Sequence, residues 1–263
     1  SLIGSLQWTI TLGRFDVAVA VMSMSSFRVA PRVGHLEVLK RIVGYLVHMQ
    51  HGYIRIRTDK PDFSSLPPKQ QDWSHTAYGT MKEVSPKDAP TPRGKSVVTT
   101  HYVDANLYHD WLTGRSITGV LHFINKTPFE WFAKKQATAE VATYGSEFVA
   151  ARQASEQIMG IRLTLRYLGV PVDGCSRLFG DNGSVVTNAS LPQSPLKKRH
   201  HALSYHFTRQ CIASGAIDFQ HIPGDINPSD ILSKHWAYSA VWTTLQPLLF
   251  WKGDTAKLFD KTS

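Results

Sequence analysis

The sequence is poor in cysteine, has no apolar run of membrane length and carries no glycine-rich phosphate loop, and each lack removes a class of protein. Cys175 and Cys211 are the only cysteines and lie far apart, which argues against a disulfide framework and a cysteine-based zinc site and suits a reducing compartment. The apolar N-terminal stretch is interrupted at Gln7, Arg14 and Asp16, well short of a bilayer span. It also lacks the basic n-region and small-residue cleavage site of a secretory signal. Neither a Gly-x-Ser-x-Gly elbow nor an internal repeat occurs. Ser1 in place of a methionine fits a fragment or a processed product.

What is present is a globular, basic chain. Of 263 residues 42% are hydrophobic and 19% charged, enough apolar material for a core and too little charge for disorder throughout. The length fits one domain with an extension, or two small domains. A formal charge of +9 favours a polyanionic partner, nucleic acid ahead of an anionic membrane surface.

Three regions differ in pattern. Residues 1–50 read as helical: Val38, Leu39, Ile42, Val43, Leu46 and Val47 recur at helical spacing, Gly52 offers a stop, and a further helix is expected over Phe15–Ser26. Residues 58–96 are punctuated by Pro61, Pro67, Pro68, Pro86, Pro90 and Pro92, which suits a linker or irregular insertion. From Val97 the pattern is α/β. Strands are expected at Val97–Val103, ending at Asp104, and at Ile117–Ile124 and Phe129–Ala133, joined by a turn at Asn125–Pro128. A long helix from Thr143, its cap, to about Leu168 follows, with Arg162 and Arg166 suiting its negative end. Then come a strand at Arg177–Gly180, a basic helix around Lys197–Ser214, a strand at Ala216–Ile222 and a last helix opening near Asp230.

On that order four acids take informative places. Asp104 and Asp181 end strands, Glu147 lies near the start of the long helix, and Asp230 opens the last one. Taken singly, each reads as a cap or turn residue. Together, at strand ends and helix starts of an α/β sheet, they can converge on one site. Several carboxylates packed together need a cation between them, and hard oxygen donors suit Mg²⁺. Two such ions about 4 Å apart serve in-line hydrolysis of a phosphodiester.

The residues also carry a family resemblance. Tyr102-Val103-Asp104-Ala105-Asn106, Trp131 with Lys134-Lys135-Gln136, Tyr144-Gly145-Ser146-Glu147-Phe148, Gly180-Asp181-Asn182, Tyr205-His206-Phe207 and Asp230-Ile231-Leu232-Ser233-Lys234 resemble, in that order, the ribonuclease H region of Copia-type retrotransposon polyproteins. The likeness covers about Val97–Trp236. Ser1–Leu6 and the helix at His35–Leu46 resemble the segment after the polymerase palm. The resemblance implies an α/β, ribonuclease H-like mixed five-stranded sheet flanked by helices, with a helical N-terminal extension. It implies a post-palm segment at 1–57, a Pro-rich linker at 58–96, the ribonuclease H-like domain at 97–236 and a helical tail at 237–263.

By the same resemblance, Asp104, Glu147, Asp181 and Asp230 are catalytic metal ligands for two Mg²⁺ ions, with Mn²⁺ a substitute. Asp104 and Asp181 would hold both ions or bridge them, and Glu147 and Asp230 would each complete one site. Lys134, Lys135, Asn182, Lys197, Lys198 and Arg199 are expected to contact nucleic acid. The implied partners are an RNA–DNA hybrid and the rest of the polyprotein, without a membrane, inside the cell in cytoplasmic retroelement particles. Three positions depart from the pattern. Asn106 stands where relatives often carry a second acid, Ala202 replaces the acid after a Lys-His pair, and the loop Gly224–Asn227 lacks the histidine of cellular ribonucleases H, leaving Asp225 as the nearest acid there.

Other readings stay open. Tyr102-Val103-Asp104-Ala105 is similar to a polymerase motif whose second Asp became Ala, but it follows the post-palm-like segment instead of preceding it. An integrase-type nuclease of the same fold takes its Glu from a later helix. A catalytically inert nucleic-acid-binding or connection module of a decayed element is the alternative from another class. The run Lys197-Lys198-Arg199-His200-His201, with His206 and Arg209, suits a solvated helix face or contact with a hybrid backbone; zinc is disfavoured there without cysteine partners.

Overall fold

The computed structural model describes residues 1–66, 71–110 and 113–250; Pro67, Pro68 and the part of the expected helical tail after residue 250 lie outside them. Strand β1 (Thr99–Asp110) runs past the expected stop, so Asp104 sits within it. Pairing explains the difference. Antiparallel β2 (Arg115–Ile124) accompanies β1 through Asn106↔Ile117 and, past a register shift, at Asp110↔Arg115, whereas parallel β4 (Ser176–Gly180) leaves it at Val103↔Gly180. Asp104 ends the β4 pairing without ending the strand.

The hairpin from β2 to β3 (Thr127–Lys135) turns at Asn125, whose φ of 53° lies in the left-handed region that Asn tolerates. Strand β5 (Ile217–His221) lies parallel to β4, giving the order β3-β2-β1-β4-β5. This is the mixed five-stranded α/β sheet expected.

Successive residues on a strand point to opposite faces, and the two faces bury different partners. On one, Val103, Val120, Leu178 and Phe219 meet Phe148, Ala151, Ala154 and Ile158 of the long helix α4 (Thr143–Tyr167). Full burial of side chains of the Phe or Ile kind stabilises by about 1.5–3 kcal/mol each. Thr143 is the first helical residue and not the cap, and α4 starts without a side-chain cap. A helix the sequence reading lacked, α5 (Gly183–Ser190), follows β4; at two turns it is too short to show a period. Helix α6 (Ala202–Ala213) completes this layer.

The other face carries α1 (Leu2–Thr11), α2 (Ala18–Ser25), α3 (Val33–His48) and α7 (Tyr238–Leu249). The helix expected at Phe15 begins as a 3-10 turn, Phe15–Val17. Phe15, Met49, Leu121, Phe123, Leu232, Leu245 and Leu249 share one buried cluster, so the N-terminal helices pack on the sheet itself. Trp131 Nε1 donates to the Ile10 carbonyl at 3.1 Å. Asp230 does not open the last helix: Pro228–Leu232 is a 3-10 turn, and α7 starts at Tyr238.

The described residues of 58–96 form no helix or strand, yet they are tied down. Glu83 forms ion pairs with Arg162 and Arg166 of α4, each at 2.7 Å, so these arginines answer a carboxylate and not only the helix dipole. Trp73 and Tyr78 cover the Arg209 guanidinium at 4.8 and 5.3 Å. Arg209, grouped above with the basic run, is only 1% exposed and donates to the carbonyls of Asn188, Leu191 and Pro192 at 2.7 Å. Among the described residues no helix is long and apolar enough to cross a membrane.

Candidate metal centre

The register of β1 and β4 builds the site. Their last paired residues are Val103 and Gly180, so Asp104 and Asp181 follow side by side where the parallel strands part. Glu147 comes from α4, which crosses the same end. Gln136 holds that end of the helix to the sheet: its Nε2 donates to the Ser146 carbonyl at 2.8 Å and to Thr118 Oγ1 at 3.0 Å. Oxygens of Asp104, Glu147 and Asp181 lie within 4.8 Å of one another. Asp104 and Glu147 are buried and Asp181 is half-buried.

Asp230 reaches the centre through a glycine. Gly119 of β2 pairs with Asp104, and a Cβ there would lie 2.8 Å from the Ser229 carbonyl oxygen. The missing side chain lets the turn Pro228–Leu232 lie directly on the sheet. Asn227 fixes the approach by donating to the Val103 carbonyl at 3.0 Å and accepting from Ser229 Oγ at 2.6 Å. Ser233 Oγ then donates to Asp104 Oδ2. Lys234 Nζ stands between two acids, 3.2 Å from Asp104 Oδ1 and 2.7 Å from Asp230 Oδ1. Asp230 thus joins the centre across a lysine and is not part of the three-carboxylate group.

The electrostatics are those of a site short of positive charge. Burial, then the charges of Asp104 and Asp181, push Glu147 well above the ordinary glutamate range. Asp181 rises for the same two reasons, burial and Asp104. Asp230 is pushed up to about 6 by burial and Asp104, against the pull of Lys234. Burial opposes the charge on Lys234, but Asp104 and Asp230 outweigh it and hold the ammonium above its usual value. One lysine leaves a deficit, and all the donors are hard oxygens, so the set fits a divalent cation such as Mg²⁺.

The expected nucleic-acid residues have varied places. Lys134 is exposed at the end of β3, while Lys135 pairs with Asp110 at 2.7 Å. Asn182 caps α5 by accepting from the Val185 amide at 3.2 Å. Lys197 lies over the Tyr144 ring at 5.0 Å, and Lys198 and Arg199 are exposed just before α6. Asp225 is exposed, and in the same loop a Cβ on Gly224 would come within 3.1 Å of Asp181 Oδ2. Sequence reasoning gave no separate role to Gly119, Gln136, Asn227, Ser233 or Lys234. A cavity of about 750 Å³ beside Lys234 is lined in part by Asn106, His109, Lys135 and His235. Burial and then His235 bring His109 down to about 4.

A mixed α/β sheet with an acidic centre where two parallel strands part defines the class. No protein-family model matches the chain. It is similar to the retrovirus-related Pol polyprotein from transposon RE1 of Arabidopsis thaliana, 24% identical over 233 residues that make up 89% of this chain and 13% of that polyprotein. The Pol polyprotein from transposon TNT 1-94 of Nicotiana tabacum is 22% identical over 234 residues, 89% of this chain and 15% of the relative. The resemblance found in the motifs is thus borne out, and the chain spans only about an eighth of the first relative's length. Among solved structures, the N-terminal ribonuclease H domain of rv2228c from Mycobacterium tuberculosis aligns over 58% of this chain and 99% of its own at 14% identity, with a TM-score of 0.41.

Proposed function

We propose that the chain is a metal-dependent endonuclease that hydrolyses the RNA strand of RNA–DNA hybrids during retrotransposon reverse transcription. The observation that carries this reading is the convergence of Asp104, Glu147 and Asp181 within 4.8 Å, in a chain whose relatives are Pol polyproteins. Asp104, Glu147, Asp181 and Asp230 would hold two Mg²⁺ ions, for which Mn²⁺ can stand in. When bound, such ions supply an activated water and stabilise the leaving oxygen. Asp104 is oriented by Ser233 and Lys234, and Gln136 and Asn227 keep the elements bearing Glu147 and Asp230 in register. Exposed Lys134, Lys198 and Arg199 are suited to phosphates, so recognition rests on backbone and 2′-hydroxyls more than on base edges. The other proposed partner is the remainder of the polyprotein, in cytoplasmic retroelement particles.

Cleavage of a labelled hybrid in Mg²⁺ by the 263-residue chain and by Asp181→Asn tests this. The expected result is RNA-strand cuts by the wild type and a loss of about 1,000-fold in the variant, the loss of several kcal/mol of metal-borne stabilisation. Cleavage undiminished by the substitution overturns the assignment. A second reading has an observation of its own: Lys234 already pairs with two of the acids, as in a metal-free, inert binding module. Hybrid binding without cleavage by the wild type would select it.

A further inference from the structure

A second cluster of metal-ligating side chains lies before α4, apart from the three carboxylates. Glu140 is in the loop leading into α4, and His200 and His201 are in the 3-10 turn Arg199–His201 leading into α6. One donor atom from each lies within 4.8 Å of the others. Glu140 Oε2 is 3.6 Å from His201 Nε2 and 3.8 Å from His200 Nε2. These distances are long for hydrogen bonds. They are near the separation of about 3.4 Å between two donors held at ~2.1 Å by one tetrahedral ion.

The surroundings are built for that approach. Glu140 and His201 are 6% and 4% exposed, and the other carboxylate oxygen, Oε1, accepts from Thr138 Oγ1 at 3.1 Å. A Cβ at Gly145 would stand 2.6 Å from Glu140 Oε2 and 2.7 Å from His201 Cε1, so the glycine keeps open the space in which acid and imidazole meet. His200 is the exposed member, and the cluster borders a cleft of about 370 Å³ lined also by Lys134 and Arg152.

We propose that Glu140, His200 and His201 form a second metal site, which takes a transition-metal ion of the zinc class. Two imidazoles and one carboxylate suit such an ion, whereas three carboxylates suit Mg²⁺. The ion clips the loop before α4 to the turn before α6 and keeps a coordination position open to the cleft. The histidine run lacks cysteine partners, and its third donor is a carboxylate distant in sequence.

Titration of the 263-residue chain with Co²⁺, read by visible absorption, tests the proposal. Tetrahedral Co²⁺ with nitrogen ligands absorbs far more strongly than octahedral Co²⁺ on oxygens alone, so the two centres are distinguishable. The expected result is one strongly absorbing Co²⁺ per chain, displaced by Zn²⁺ and retained in Asp104→Asn. In His200→Ala, an exposed position that leaves the fold intact, affinity falls more than about 100-fold, beyond what losing an outer-shell partner does. A wild-type chain with no strong band overturns the proposal, as does a band that survives His200→Ala or disappears in Asp104→Asn.

Discussion

Glu83 and Glu147 are two glutamates drawn out of water into opposite company. Glu83 meets Arg162 and Arg166 at 2.7 Å, and although burial opposes its charge, the two guanidiniums bring its pKa down to about 2. Glu147 meets Asp104 and Asp181, and burial and those two charges move it the other way. The first cluster is satisfied by the chain itself and holds an irregular segment to α4. The second has only Lys234 to set against its acids and is left wanting further positive charge. A buried charge with its partner is architecture; a buried charge without one, held in place by Gln136, Asn227 and Ser233, points to a ligand.

Glu83→Gln gives the largest expected effect on stability. It leaves the Arg162 guanidinium, 4% exposed, without its counter-charge, so unfolding in urea should show a loss of about 3–5 kcal/mol. Asp181→Asn should do the reverse in metal-free protein: removing one of the crowded charges leaves stability unchanged or raises it. Equal destabilisation by the two substitutions would dissolve the contrast between the clusters.

The pH dependence sharpens it further. A raised carboxylate pKa gives stability that is full below the unfolded value and lost as pH rises through the folded one. For Asp230 that window runs from the ordinary 3.8 to about 6, and Glu147 and Asp181 act in the same direction. Glu83 has the opposite sign: its contribution is present above the ordinary 4.5 and lost as pH falls through about 2. The melting temperature of metal-free protein should therefore fall between about pH 4 and pH 6 through the acidic centre, and saturating Mg²⁺ should flatten the slope. A slope indifferent to Mg²⁺ would count against a cation site. The smallest effect is expected at the exposed Lys198: Lys198→Ala should lower the salt dependence of hybrid binding by about one phosphate contact.

Much of this was legible in the sequence because it rests on local pattern. The five strands and the long helix follow from β-branched runs and from apolar residues at helical spacing, and Asp104, Glu147 and Asp181 follow from their places on those elements together with the family resemblance of the motifs around them. Other features depend on contacts between distant residues. That Asp104 lies mid-strand is decided by β2, which goes on pairing with β1 after β4 has stopped. The approach of Asp230 depends on the absent side chain of Gly119, and Lys234, in the sequence only the last residue of a motif, gains its place when the turn brings it between two acids. Arg209 sits in a basic run but is buried under Trp73 and Tyr78, from a segment whose prolines suggest a linker or irregular insertion without saying what it packs on. Helix α5 was missed because two turns show no period.

Crystals soaked in Mn²⁺ test the central claim most directly, since anomalous scattering locates the ion without reference to activity. The account predicts two peaks about 4 Å apart among Asp104, Glu147, Asp181 and Asp230, both absent in Asp104→Asn. No anomalous density among these carboxylates, with Lys234 still bridging Asp104 and Asp230, would contradict it.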